Sequence, residues 1–168
     1  MKKPKKKFRL KARSNIQIDK EFGSNPRFGG CWSKDEMKNK KPNNKFWVIN
    51  MADSTEPDGT HWVCVFDCPP ASPGFCVYFD PFGLVPPPAI ASFCKRSGHK
   101  VVYSTGQLQD LDSEACGFFC AHVLRQLLKG KKFVDVVMGG GSSGNGLGDF
   151  SETSPLSNEH KLEREYLK

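Results

Sequence analysis

The chain contains cysteines at positions 31, 64, 68, 76, 94, 116 and 120, and one of them is placed for chemistry. A nucleophilic cysteine needs a stabilised thiolate, and a helix N-terminus helps to supply one. Cys116 follows the polar run Asp110 to Glu114 and stands at the start of a nearly continuous apolar stretch. Gly117 beside it leaves the backbone N–H groups uncrowded. Cys120, one turn deeper, reads as a small core residue. A thiol nucleophile also needs a base. Of the four histidines, His122 lies on the apolar stretch, His160 near the C-terminus and His99 in a polar loop. His61 opens an extended apolar run after the Gly59-Thr60 turn, and Asp80 ends the next such run. If 60–66 and 75–79 pair as a hairpin, their near ends are 66 and 75. His61 and Asp80 then meet at the far end, where a carboxylate can fix the imidazole tautomer and stabilise the imidazolium. Gln109 carries a side-chain amide that, with a backbone N–H, can face a developing oxyanion. Each residue has an ordinary reading as well: a buried thiol, a structural histidine, a turn-forming Asp before Pro81-Phe82-Gly83, a surface Gln.

The elements that must position these residues follow from pattern. Strands are predicted over 46–51, 61–66, 75–79 and 100–104, where β-branched and aromatic residues cluster between turn residues. Pro57-Asp58-Gly59, Pro69-Pro70, Pro73-Gly74 and Pro86-Pro87-Pro88 supply the breaks. Residues 89–95 suit a short helix. Residues 115–129 are the strongest helix, apolar almost all round and therefore buried. Glu114 before it suits the positive end of the helix dipole, and Gly130 suits its C-terminal end. Residues 1–44 are polar, with Gly29-Gly30 and Pro42-Asn43-Asn44 as breakers, so only short ordered pieces are expected there. Residues 158–167 read as a weak terminal helix. The class is α+β: a mostly antiparallel sheet packed against a central helix that carries the nucleophile. The expected division is a basic flexible tail over 1–20, a folded domain over 21–138, and a Gly-rich linker and C-terminal tail over 139–168.

The bulk numbers bound the rest. With 168 residues, 38% of them hydrophobic and 13 of them Phe, the chain can build one core without metal or disulfide staples. No apolar run approaches the roughly 20 residues of a membrane span, and the basic N-terminus lacks the apolar segment of a signal peptide. A soluble intracellular protein without a membrane partner is expected, and a monomer. An odd number of cysteines excludes a fully paired disulfide framework, and without paired Cys-x-x-Cys knuckles no metal site is expected. Of the 25 Lys and Arg, eight fall within residues 1–13: Lys2, Lys3, Lys5, Lys6, Lys7, Arg9, Lys11 and Arg13. The remainder has 17 bases against 18 acids, so the net charge of +7 is a property of the tail. Such a run reads as nucleic-acid contact or as a solubilising or localising tail.

Taken together, the motifs Gly59-Thr60-His61-Trp62, Tyr78-Phe79-Asp80-Pro81-Phe82-Gly83 and Gln109-Asp110-Leu111-Asp112-Ser113-Glu114-Ala115-Cys116-Gly117 resemble the adenovirus-type cysteine endopeptidases (adenain). That family includes related proteases of adenovirus-like DNA viruses and large DNA transposons, and shares a clan with the proteases of small ubiquitin-like modifiers. The order His, acid, Gln, Cys is the family's. His followed by Trp is typical of the clan, and acid-Pro-Phe-Gly is particular to the adenovirus type, where Glu is common and Asp80 stands here. The resemblance covers about residues 46–128. It implies His61, Asp80, Gln109 and Cys116 as catalytic residues, Trp62 at the substrate, and cleavage of virion or element precursor proteins at Gly-Gly sites. It also implies residence in the host nucleus and virion, no cofactor for the chemistry itself, and DNA as an activator. The family's peptide cofactor attaches through a cysteine shortly before the Gln. Residues 97–109 contain no cysteine, the nearest being Cys94, so activation by that disulfide is not expected. Met138-Gly139-Gly140-Gly141 matches the implied specificity, with Gly141–Ser142 as a candidate self-processing bond; the ordinary reading of the segment is a flexible linker with a chance match. The alternatives are a deconjugating peptidase for a ubiquitin-like modifier and a non-enzymatic DNA-binding protein.

Overall fold

The computed structural model describes residues 8–56, 61–138, 150–151 and 154–167. The tail lysines 2, 3, 5, 6 and 7 and the Gly-rich segment 139–149 lie outside these. Five strands make one sheet in the order β1 (Phe28–Ser33), β2 (Phe46–Asn50), β3 (Trp62–Asp67), β4 (Phe75–Phe79) and β5 (Lys100–Tyr103). The two inner ladders, β2–β3 and β3–β4, are antiparallel, and the two outer ladders, β1–β2 and β4–β5, are parallel. The α+β class expected from the sequence is the one observed.

The inner strands are buried on both faces, which explains their unbroken apolar runs. On one face Phe46, Val48, Trp62, Cys64, Phe66, Val77 and Phe79 pack against α3 (Cys116–Leu128) through Phe119, Cys120, Val123 and Leu127. On the other, Trp47, Ile49, Val63, Val65, Cys76 and Tyr78 pack against Met37 and against Ile90, Phe93 and Cys94 of α2 (Pro88–Lys95). Each large side chain so buried contributes about 1.5–3 kcal/mol. The single central helix expected from the sequence is thus one of two covers on the sheet.

Several elements depart from pattern. β1 was hidden by its glycines, which resemble breakers. A Cβ on Gly29 would stand 2.3 Å from the Trp47 indole, so the strand needs glycine where that ring lies flat against it. Helix α1 (Asn15–Phe22) begins inside the expected tail, with Ser14 and Gln17 forming a capping box. Its Ile18 and Phe22, and Leu10 ahead of it, are buried. A short helix, α4 (Phe133–Val137), follows α3. Helix α5 (Pro155–Tyr166) packs back on α3 rather than trailing away. Its Leu162 is fully buried, Tyr166 meets Phe118 edge-on, and Glu165 pairs with His122 and Arg125. The weak terminal helix expected over 158–167 is observed as α5; its packing on α3 and the order of 8–20 come from scattered contacts that no local periodicity announces. Among the described residues no helix is long and apolar enough to cross a membrane.

Candidate active site

The β3–β4 register brings the far ends of the hairpin together as the pattern required, pairing Cys64 with Phe79 and Asp67 with Cys76. His61 precedes β3 and Asp80 follows β4. His61 Nε2 lies 2.8 Å from Asp80 Oδ1, with the carboxylate almost fully buried. The same oxygen accepts the Phe82 N–H at 2.8 Å, which fixes it as a turn residue as well as a partner of the ring. The two readings of Asp80 are therefore compatible. The Phe82 ring stacks on the imidazole, centroids 4.5 Å apart and 16° from parallel. Gly83 has φ +76, and a Cβ there would meet the carbonyls of Thr105 and Gly106 at 2.6–2.7 Å. The Pro-Phe-Gly sequence thus holds the ring from one side and lets the chain leading to Gln109 approach closely.

Cys116 is the first residue of α3. The residue before it, Ala115, offers no capping side chain, so the orphan N–H groups of the first turn are left for other partners. Cys116 Sγ accepts the Trp62 N–H at 3.4 Å, and Trp62 O faces Cys120 Sγ at 3.4 Å. One strand residue is thereby tied to both thiols of the helix. Burial alone would lower the pKa of His61. The Asp80 hydrogen bond, the contact with Cys116 and the charges of both outweigh it and bring the imidazole to about 9. With Nε2 committed to Asp80, Nδ1 is the nitrogen left for the thiol. Cys120 is wholly buried and its pKa is pushed well up, first by burial and then by its hydrogen bond with Cys64.

Gln109 is fully buried, not a surface residue. Its backbone N–H and that of Leu108 both bond to Pro81 O, at 3.0 and 2.9 Å. Its side-chain Nε2 donates to Ser113 O at 2.9 Å and, more loosely, to Ser113 Oγ at 3.4 Å, while Oε1 has no partner among the described residues. His61, Trp62, Gln109 and Cys116 all line one cleft of about 660 Å³. A second groove of about 890 Å³, between β5 and α4, is larger but contains neither thiol nor imidazole.

Residues that carried no sequence signal for catalysis also build the cleft. Arg13 forms part of its wall, its carbonyl accepting the Trp62 Nε1–H at 2.9 Å. The Arg13 side chain pairs with Glu21 at 2.6 Å, covers the Phe118 ring and lies 3.1 Å from where a Cβ on Gly117 would be. Gly117 therefore makes room for Arg13, and this guanidinium, expected among the phosphate-contacting bases, is occupied by the fold. Arg9 and Lys11 are exposed. Ser113, Asn158 and Glu159 sit beneath Gln109; only contacts distant in sequence give them a place there. Among the described residues no cluster of three or more His, Cys, Asp and Glu can hold a metal ion.

The fold is one that solved proteins share. Two solved structures share it, "Crystal Structure of ASFV pS273R protease" and its Se-Met counterpart. The first is 18% identical with a TM-score of 0.55 over 74% of this chain and 60% of that one. The second is 15% identical with a TM-score of 0.52 over 90% of this chain and 67% of that one. The chain thus spans about 60% of the first protease's length. No protein-family model matches the chain, and no curated protein does.

Proposed function

We propose that the chain is a cysteine endopeptidase with Cys116 as nucleophile, His61 as acid–base, Asp80 as its orienter and Gln109 as an oxyanion donor. The observation that carries this reading is the buried His61–Asp80 pair, 2.8 Å apart, opening onto the same cleft as a cysteine at a helix start. An imidazole held protonated to about 9 supports a thiolate beside it at neutral pH. The Cys116 sulfur attacks the scissile carbonyl carbon and forms the C–S bond. The resulting oxyanion accepts a backbone N–H from the first turn of α3 and a Gln109 Nε2–H, which gives up its loose 3.4 Å contact with Ser113 Oγ to do so. The His61 imidazolium gives its proton to the leaving amine as the C–N bond breaks. Neutral His61 then takes a proton from water, whose oxygen attacks the thioester and releases Cys116. The resemblance to the adenain family supports Gly-Gly substrates in virion or element precursor proteins, and glycine suits the approach because it brings no Cβ to the thiolate.

The test is turnover of a proteome-derived peptide library by wild type, Cys116→Ala and Cys120→Ala. Cleavage is expected from wild type and from Cys120→Ala, and none from Cys116→Ala. Labelling of Cys120 ahead of Cys116 by iodoacetamide, with turnover retained in Cys116→Ala, would refute the assignment. Turnover confined to modifier-linked fluorogenic substrates would move the chain to the deconjugating class.

A further inference from the structure

Gln109 can serve an oxyanion only if its amide plane is held, and the groups that hold it come from the far end of the chain. Ser113 is central. Its carbonyl receives Gln109 Nε2–H at 2.9 Å. Its hydroxyl hydrogen goes to Glu159 Oε2 at 2.5 Å. A hydroxyl with its one hydrogen so committed turns its lone pairs elsewhere. Here they meet the Ala115 N–H at 3.1 Å and, more loosely, Gln109 Nε2 at 3.4 Å. Glu159 thereby sets the direction of a group that touches both Gln109 and the residue before Cys116. One residue earlier on α5, Asn158 donates from Nδ2 to Leu108 O at 3.0 Å. Leu108 N–H is already held by Pro81 O, so the stretch that carries Gln109 is clamped between the Asp80 turn and α5. Asn158 and Glu159 are both fully buried. A buried carboxylate with one oxygen lacking a partner costs stability by itself, which makes a purely structural reason for Glu159 a poor one.

We propose that Glu159 and Asn158 of α5 are positioning residues for the oxyanion donor Gln109, acting through Ser113 and Leu108. The proposal rests on the peptidase reading above and extends it: the C-terminal helix completes the active site instead of merely covering α3.

The experiment is a double-mutant cycle on the full chain with a cleaved library peptide, together with amide exchange at Ala115. Gln109→Ala is expected to lower kcat by roughly 10²-fold. Glu159→Ala is expected to lower kcat by roughly 10-fold with KM little changed, since a misplaced donor fails in the transition state. Glu159→Gln, which keeps an acceptor for the Ser113 hydroxyl, restores kcat. In the Gln109→Ala background, Glu159→Ala adds no further loss. Exchange at Ala115 rises in Glu159→Ala, while labelling of Cys116 by iodoacetamide stays at the wild-type rate. Full additivity of the two losses, or no rescue by Glu159→Gln, overturns the proposal and leaves the peptidase intact. Unchanged exchange at Ala115 overturns it whether or not the chain cleaves peptides. A wild-type chain without turnover removes the peptidase reading and, with it, the role given to Gln109.

Discussion

At the residue scale the site is a competition over one imidazole. Burial alone favours the neutral ring, while Asp80 and Cys116 favour the charged one and win, bringing His61 to about 9. In the proposed mechanism the imidazolium donates to the leaving amine, so activity should fall on the alkaline side as pH rises through about 9. Asp80→Asn removes the charge and weakens the hydrogen bond that raises the ring. Its alkaline limb should therefore move down toward the ordinary histidine value of about 6.5, with activity reduced across the range. Profiles of kcat/KM against pH for the two proteins check this, and an unmoved alkaline limb in Asp80→Asn would detach that ionisation from His61. Thiolate reactivity should remain detectable in Asp80→Asn, because a thiol is already partly ionised near neutral pH.

At the scale of elements, the turn after β4 does two things at once. It places Asp80 and Phe82 around His61, and it lets the 105–109 segment pack against it. Gly83 is the joint, left-handed at φ +76 and within 2.7 Å of two carbonyl groups if it carried a Cβ. Gly83→Ala meets both obstacles, so a loss of about 1–3 kcal/mol is expected, read as a lower midpoint in urea denaturation. Because Leu108 and Gln109 hang from Pro81 O, kcat should fall with it even at temperatures where the variant is folded. A stable Gly83→Ala with wild-type kcat would show that the turn and the Gln109 segment are not coupled.

Over the whole molecule, the two termini differ in what they contribute. Residues 8–22 belong to the fold through Leu10, Arg13, Ile18 and Phe22, so a test of the basic tail is confined to the five lysines ahead of them. Replacing Lys2, Lys3, Lys5, Lys6 and Lys7 with Gln should weaken DNA binding. The salt dependence should flatten by about 0.7–0.9 log units per log unit of salt for each phosphate that these lysines engage, while Tm and peptide turnover without DNA stay unchanged. An unaltered salt slope would leave the lysines as a localisation signal. At the other end, cleavage at Gly141–Ser142 would cut the chain between α4 and α5. The packing of Leu162 and Tyr166 predicts that residues 142–168 stay bound after such a cut. Denaturing mass measurement should then show two fragments that co-elute under native conditions, suppressed by Cys116→Ala and by Gly140→Val. A single full-length mass after prolonged incubation, alongside cleavage of a Met-Gly-Gly-Gly peptide in trans, would dismiss self-processing and keep the specificity.

Local chemistry alone was enough to read a large part of this molecule. Apolar runs between prolines and glycines marked β2, β3, β4 and β5. The continuous apolar stretch after Glu114 marked α3, and hairpin logic alone put His61 opposite Asp80. Those signals are periodic or adjacent, so one stretch of chain suffices to read them. Other residues took their roles only from the folded chain. Gly29 looked like a breaker until Trp47 lay across it, and Arg13 looked like a free cation until Glu21 and Phe118 took it. Gln109 looked exposed until Pro81, Ser113 and α5 closed around it. In each case the deciding partner lies at least four residues and as many as 105 away, and long-range burial leaves no trace in local composition. A buried polar residue such as Glu159 has the same sequence appearance as a solvated one, and only the folded chain distinguishes them.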